Sequence, residues 1–240
     1  MKINASIEAR MTSSRLPGKV LMPIGGKPAL EVLIERVKKS KKIDKIIVAT
    51  TTNKEDDPVV ELCEELGISY FRGSEENVFE RVLKTHQTYD SDIIVELTGD
   101  CPLLDPVLID EAIQCFLENS YDYVSNCIDF TYPLGMAVEV FSLKSLEDIN
   151  KTTLSEEDKE HVSVRFFTSE KYKAFNIKAP EELYMPTLSV TLDTKADYEM
   201  ITKVYDNFGH NDFSLNEIVE FVKKNPKLLE INPVDLGIYK

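Results

Sequence analysis

Three cations crowd a short run of small residues near the amino terminus: Arg10, Arg15 and Lys19 in Ala9-Arg-Met-Thr-Ser-Ser-Arg-Leu-Pro-Gly-Lys19. A guanidinium forks onto phosphate oxygens, and an ammonium supplies compact charge where negative charge accumulates. Ser13 and Ser14 add hydroxyl donors, and the backbone N–H groups of such a loop add more. The composition suits a polyphosphate cradle, although an ordinary exposed basic loop with Gly18 as a turn residue has the same composition. The run lacks the spacing of a P-loop and of a dinucleotide fingerprint. Far along the chain, Asp100 in Leu97-Thr-Gly-Asp-Cys-Pro and Asp193 in Val190-Thr-Leu-Asp-Thr each follow an apolar run. Mg²⁺ takes one or two carboxylates together with waters and substrate phosphates, so the pair suits a metal. Singly, each aspartate also suits a turn or a helix N-cap. Asp105 before Pro106 is the better cap, and Asp197 reads as a solvated residue one turn into a helix. Cys101 beside Asp100 has no His near it in sequence, which weighs against a nucleophile.

These residues need a scaffold that brings loops from distant positions to one edge. Short apolar runs alternate with helical patterns, the signature of strands crossing over through helices into a parallel sheet. Strands are expected at 3–7, 46–50, 68–71 and 93–97, with helices following Pro28 and over 58–66, 76–89 and 106–117. The pattern then changes: strands at 121–125, 136–141, 175–177 and 188–192, and helices at 155–167, 195–208 and 215–223. The expected class is α/β, Rossmann-like, with a mostly parallel but mixed sheet flanked by helices. A single domain spans 1–240, with a nucleotide-binding half at 1–125. An acceptor-binding and dimerisation part follows at 126–210, and a C-terminal helical extension at 211–240.

The 240 residues carry a net charge of −14, which argues against binding nucleic acid through its backbone but not against a nucleotide held by a few local cations. The opening residues lack the apolar run of a signal peptide, and no stretch is long and apolar enough for a membrane span. Four scattered cysteines without a CxxC pair read as reduced thiols, and the expected compartment is the cytoplasm.

The run EARMTSSRLPGKVLMPIGGKPALEVLIERV resembles the opening of the CMP-sugar synthetases, the acylneuraminate and 3-deoxy-manno-octulosonate cytidylyltransferases, and most of all their spore coat polysaccharide protein F branch. The likeness continues through VATTTNKEDDPVVELCEELGISYFRGSEENVFERV, DIIVELTGDCPLLDP and LDTKADYEMI, covering most of residues 1–205. It implies a nucleotide-diphospho-sugar transferase fold and Mg²⁺-dependent transfer of CMP from CTP to a small sugar-type acceptor, a 2-keto sugar acid, with loss of pyrophosphate. Such a product serves surface polysaccharide or glycoconjugate synthesis, and the resemblance suggests a homodimer. Arg15 and Lys19 match the family's triphosphate-binding cations. Ala9, Arg10 and Ser13 line the stretch that meets the nucleotide, and Ser74 and Arg81 match its RGS…DR pattern. Asp100 and Asp193 match its two metal carboxylates, so Arg15, Lys19 and Asp100 are the expected catalytic residues. On the acceptor side Asn126, Glu139 and His161 are candidates, with an outward strand residue and a helix-surface histidine as the plainer readings of the last two. Three positions depart from the pattern: Glu8 replaces Gln or Pro, Thr12 replaces Gly or Ala, and Ala137 replaces Asp. Another base, a phosphorylated acceptor, or a non-catalytic nucleotide-binding role on the same fold are the alternatives.

Overall fold

The computed structural model describes residues 1–235. Strands β1 (Ile3–Glu8), β4 (Lys45–Thr51), β5 (Ser69–Gly73) and β6 (Ile93–Thr98) form the parallel half of a seven-stranded sheet. A two-stranded antiparallel ribbon, β2 (Pro23–Ile24) and β3 (Lys27–Pro28), lies between β1 and the first helix. The second half adds β7 (Tyr123–Ser125), β8 (Glu139–Ser142) and β9 (Ala174–Asn176), giving the order β5-β4-β1-β6-β8-β7-β9. β8 alone runs against its neighbours.

Helices α1 (Ala29–Val37), α2 (Asp57–Glu65), α3 (Val78–Thr88) and α4 (Pro106–Glu118) are the crossovers. They cover both faces, which is why β1 and β6 are buried along nearly their whole length, including the polar Asn4, Ser6 and Glu96. Asp105 caps α4 by accepting the Val107 N–H at 2.9 Å, with Pro106 inside the first turn where its missing donor costs nothing. Then come α5 (Leu143–Asn150), α6 (Glu156–Glu160), α7 (Val164–Thr168), α8 (Lys195–Phe208) and α9 (Leu215–Lys224). The buried Arg36 of α1 ties the last of these to the sheet, donating to the carbonyls of Leu104 and Phe213, both at 2.9 Å.

The second half departs from the expected pattern. Residues 155–167 fall into two short helices, because the chain turns extended at His161 (φ −118°, ψ 100°), which ends α6 before α7 begins. The strand expected from 136 starts at Glu139. Residues 188–192 are largely buried but lie outside the sheet, held by an isolated bridge of Ser189 to Leu134 and by the Leu192 N–H on the Asp100 carbonyl at 2.7 Å. Asp197 is 8 % exposed rather than solvated: it forms a reciprocal capping box with Thr194 at the start of α8. β8 lies between β6 and β7 and presents no free edge. The extension from 211 is α9 and a short 3₁₀ turn (Pro226–Glu230), and residues 236–240 lie outside the described chain. Among the described residues, no helix is long and apolar enough to cross a membrane.

Candidate active site

The chain leaves β1, builds outward through β4 and β5, then crosses back to β6 on the other side of β1. Such a reversal opens a crevice at the strands' carboxyl ends. Gly99 makes the approach there close. Its N–H donates to the Glu8 carbonyl at 2.9 Å, and a Cβ at this position would stand 2.6 Å from that oxygen and 3.1 Å from the Ala9 Cβ. Ala9 is buried against it, so the start of the first loop and the turn after β6 are locked together.

Into this crevice the structure brings Lys19, Asp100, Asp193 and Arg15. Gly18, at φ +74°, turns the chain so that Lys19 points inward, and Lys19 is 9 % exposed. Its Nζ donates to Asp100 Oδ2 and to Asp193 Oδ1, both at 2.7 Å. Burial works against the ammonium, but the two carboxylates outweigh it and raise the lysine's pKa. Arg15, two-thirds exposed, reaches the other Asp193 oxygen at 2.8 Å. Asp193 is not a cap, since Thr194 and Asp197 do that work; its side chain is left for the cations. Burial pushes the Cys101 thiol well up, which leaves it unsuited to a thiolate role.

The first loop is held from the far side by residues that spacing does not reveal. Glu75 accepts hydrogen bonds from Thr12 and Asn53 and pairs with Arg10 at 3.4 Å, while buried Asp56 accepts the Met11 N–H at 2.6 Å. Ser13 Oγ accepts the Leu16 N–H at 3.4 Å within the loop. Ser74 Oγ accepts the Asn77 N–H at 3.1 Å, and its carbonyl takes a hydrogen bond from Arg81. Arg81 is 3 % exposed and pairs with no glutamate of its own helix; it lies beneath the loop beside Glu8. Arg72 is committed to the carbonyls of Thr51 and Asn53 and to Asp57.

A cavity of about 750 Å³ opens from Asp100, Asp193 and Arg15 toward the second half of the sheet, and His161 lines it. Asn126 lines it too, but its amide spans the backbone, donating to the Met136 carbonyl at 2.7 Å and accepting the Val138 N–H at 2.9 Å. Glu139 lies behind the cavity, accepting the Tyr123 hydroxyl at 2.6 Å. It belongs to an acidic cluster with Glu8 and Glu96 that the sequence reading did not identify. Burial pushes the Glu8 carboxyl up to about 8 against the pull of Arg81, with Glu139 adding to the rise. Burial likewise raises Glu96 well above the ordinary range, and Glu8 and Glu139 add to it.

A sheet of this order, with a cationic loop and two aspartates meeting at its carboxyl edge, has the architecture of the nucleotide-sugar transferases. The sequence model described as Cytidylyltransferase matches residues 5–232, and the chain belongs to that family of nucleotidyltransferases. It is 36 % identical over 229 residues to the spore coat polysaccharide biosynthesis protein SpsF of Bacillus subtilis, covering 92 % of this chain and 93 % of that one. A cytidylyltransferase structure from Leptospira borgpetersenii superposes with TM-score 0.91 at 35 % identity, covering 98 % of this chain and 99 % of the other. CMP:2-keto-3-deoxy-manno-octonic acid synthetase complexed with CTP superposes with TM-score 0.66 at 18 % identity, over 87 % of this chain and 100 % of that one, a likeness of fold.

Proposed function

We propose that the protein is a Mg²⁺-dependent cytidylyltransferase that transfers CMP from CTP to a hydroxyl of a 2-keto sugar acid, releasing pyrophosphate. The observation that carries this reading is the single ammonium of Lys19 bonded to both Asp100 and Asp193, with Arg15 on the latter. The nucleotide then occupies the crevice between the first loop and the turn after β5. Ala9, Arg10 and Ser13 border it on one side and Ser74 on the other, and Arg81 acts from below by fixing the Ser74 carbonyl.

The donor set fits a small hard cation. Asp100 and Asp193 present oxygens around one point, and among the described residues no third acidic, histidine or cysteine side chain completes a protein cage. That leaves the remaining positions to phosphate oxygens and water, as Mg²⁺ prefers. Bound there, Mg²⁺ supplies charge neutralisation on the triphosphate. Lys19 exchanges its carboxylate partners for phosphate, and Arg15 follows the β- and γ-phosphates, where charge grows as pyrophosphate leaves. The acceptor oxygen forms its bond to the α-phosphorus as the bridging bond to the β-phosphate breaks, and the hydroxyl proton passes to solvent. Positioning and electrostatics carry such a transfer without a covalent intermediate.

The acceptor enters the cavity beyond Asp100, where His161 is the sequence candidate whose ring is free of backbone duties. Asn126 and Glu139 shape the wall from behind. A cytoplasmic homodimer used for surface polysaccharide synthesis completes the reading. Purified protein is assayed for pyrophosphate release with each nucleoside triphosphate, Mg²⁺ and a panel of sugar acids. CTP-selective release dependent on one acceptor supports the reading; no release, together with no CTP binding by calorimetry, removes it.

A further inference from the structure

Residues 231–235, the last that are described, line one wall of the cavity beside Asp100 and Asp193. Pro233 and Val234 line it together with Tyr132, Leu134 and Met136. The Asn232 side chain ties this strap to the body of the protein: its amide nitrogen donates to the Ser189 carbonyl at 3.1 Å and to Asp197 Oδ1 at 2.8 Å. The other oxygen of Asp197 accepts the backbone N–H groups of Asp193 at 3.2 Å and of Thr194 at 2.8 Å, and the Thr194 hydroxyl at 2.8 Å. A single buried carboxylate thus joins the outer wall of the cavity to the turn that aims Asp193.

We propose that residues 231–235 are the outer wall of the acceptor site and that Asn232 is a positioning residue, holding that wall in register with Asp193 through Asp197. The inference rests on the reading of the cavity as the acceptor site. The chemistry suits an acceptor that presents an apolar face or alkyl substituent to Pro233 and Val234 while its attacking hydroxyl lies toward Asp100. Arg15 of the first loop lines the same cavity and pairs with Asp193, so the nucleotide senses the strap through the turn at Asp193. Asn232 also anchors the strap to a chain segment, around Ser189, that the sheet itself barely holds. Without that anchor the wall swings and the turn at Asp193 loosens.

The test uses the full chain and two measurements. In the ligand-free protein, hydrogen exchange of the amides of Asp193 and Thr194 is compared between wild type and Asn232→Ala. The variant speeds their exchange; unchanged exchange overturns the coupling. In the assay with CTP, Mg²⁺ and whichever sugar acid of the panel the wild type turns over, Asn232→Ala raises the acceptor KM about tenfold, the size expected when a hydrogen bond to a charged group is lost. The KM for CTP rises less, about two- to threefold, because the nucleotide meets the loosened turn at Asp193 but not the apolar residues of the strap. Asn232→Asp is worse than Asn232→Ala, because it sets two carboxylates face to face. Pairing it with Asp197→Asn restores a donor and acceptor in swapped order and recovers part of the loss. Equal changes in both KM values, or none, overturn the acceptor role. A wild-type protein that turns over no acceptor removes the reading of the function and the wall's role with it, while the exchange measurement still decides the coupling.

Discussion

Lys19 and Asp193 stand 174 positions apart in sequence, yet the lysine ammonium lies 2.7 Å from the aspartate oxygen and at the same distance from Asp100. Each carboxylate is a quarter or less exposed, so the lysine is the charge that lets two acids share a crevice. Replacing it by Met leaves the acids facing one another. Turnover is expected to fall at least about 10²-fold, as when one preorganised donor is removed from a transition state. In the absence of nucleotide, added Mg²⁺ should raise the Tm of Lys19→Met more than that of the wild type, because the cation takes over the missing charge. Pyrophosphate assays and thermal scans read both effects; an equal Mg²⁺ response in the two proteins would count against a shared carboxylate site.

Asp193→Asn separates chemistry from folding. The start of α8 is held by Thr194 and Asp197, so Tm should move by less than about 1 kcal/mol equivalent, while turnover drops roughly 10²-fold or more. Asp197→Ala lowers stability in addition to disturbing the turn that aims Asp193. Loss of the capping box costs about 1 kcal/mol or somewhat more, measured as a lower urea midpoint with unchanged m.

Gly99→Ala tests the contact between β1 and β6. The new methyl meets the Glu8 carbonyl at 2.6 Å, a backbone atom that cannot step aside cheaply. Destabilisation of about 1–3 kcal/mol is expected, with a loss of turnover because Ala9 and Asp100 move apart. Urea unfolding followed alongside activity distinguishes this from a purely local effect.

Glu8 carries a pH signature. Its folded pKa is raised from 4.5 to about 8, so the folded state holds a proton that the unfolded chain releases. The associated stability is complete below pH 4.5 and is lost as pH rises through about 8. Glu8→Gln removes the titration: stability should fall less steeply between these limits, and Tm at pH 8 should rise by roughly 4 °C, the shift that about 1–2 kcal/mol produces in a chain of this size. Thermal scans across that range in both proteins provide the check. Parallel curves would mean that Glu8 is not the group that titrates.

The parallel half was legible because β4 and β6 leave largely apolar runs and Ile3, Ala5 and Ile7 mark β1 by alternation, and the turns after β1 and β6 follow from it. Which cation meets which aspartate was not: no local spacing connects Lys19 to Asp193, and only the resemblance to a known family joined them. The start of β8 was misplaced for a physical reason. Met136 and Val138 are buried in alternation like a strand, but their backbone bonds go to the Asn126 side chain instead of a neighbouring strand. Glu139 read as an acceptor contact or an outward strand residue, yet it pairs with Glu96 across β6 and β8 and shares its environment with Glu8. Glu75 and Asp56 escaped notice because acidic loop residues are common, and only the fold shows them gripping the first loop.

The place of β8 in the sheet also bears on how the protein is made. β7 hydrogen-bonds only β8 and β9, and both follow it in the chain. While a ribosome has delivered Tyr123 and Val124 but not yet Glu139–Ser142, those two apolar side chains have no sheet to join, although each ends fully buried. Synthesis therefore passes through an interval in which a finished parallel half carries a sticky, unpaired segment on its trailing end, and a slow stretch of translation there would lengthen the nascent chain's exposure to chaperones and to neighbouring polypeptides.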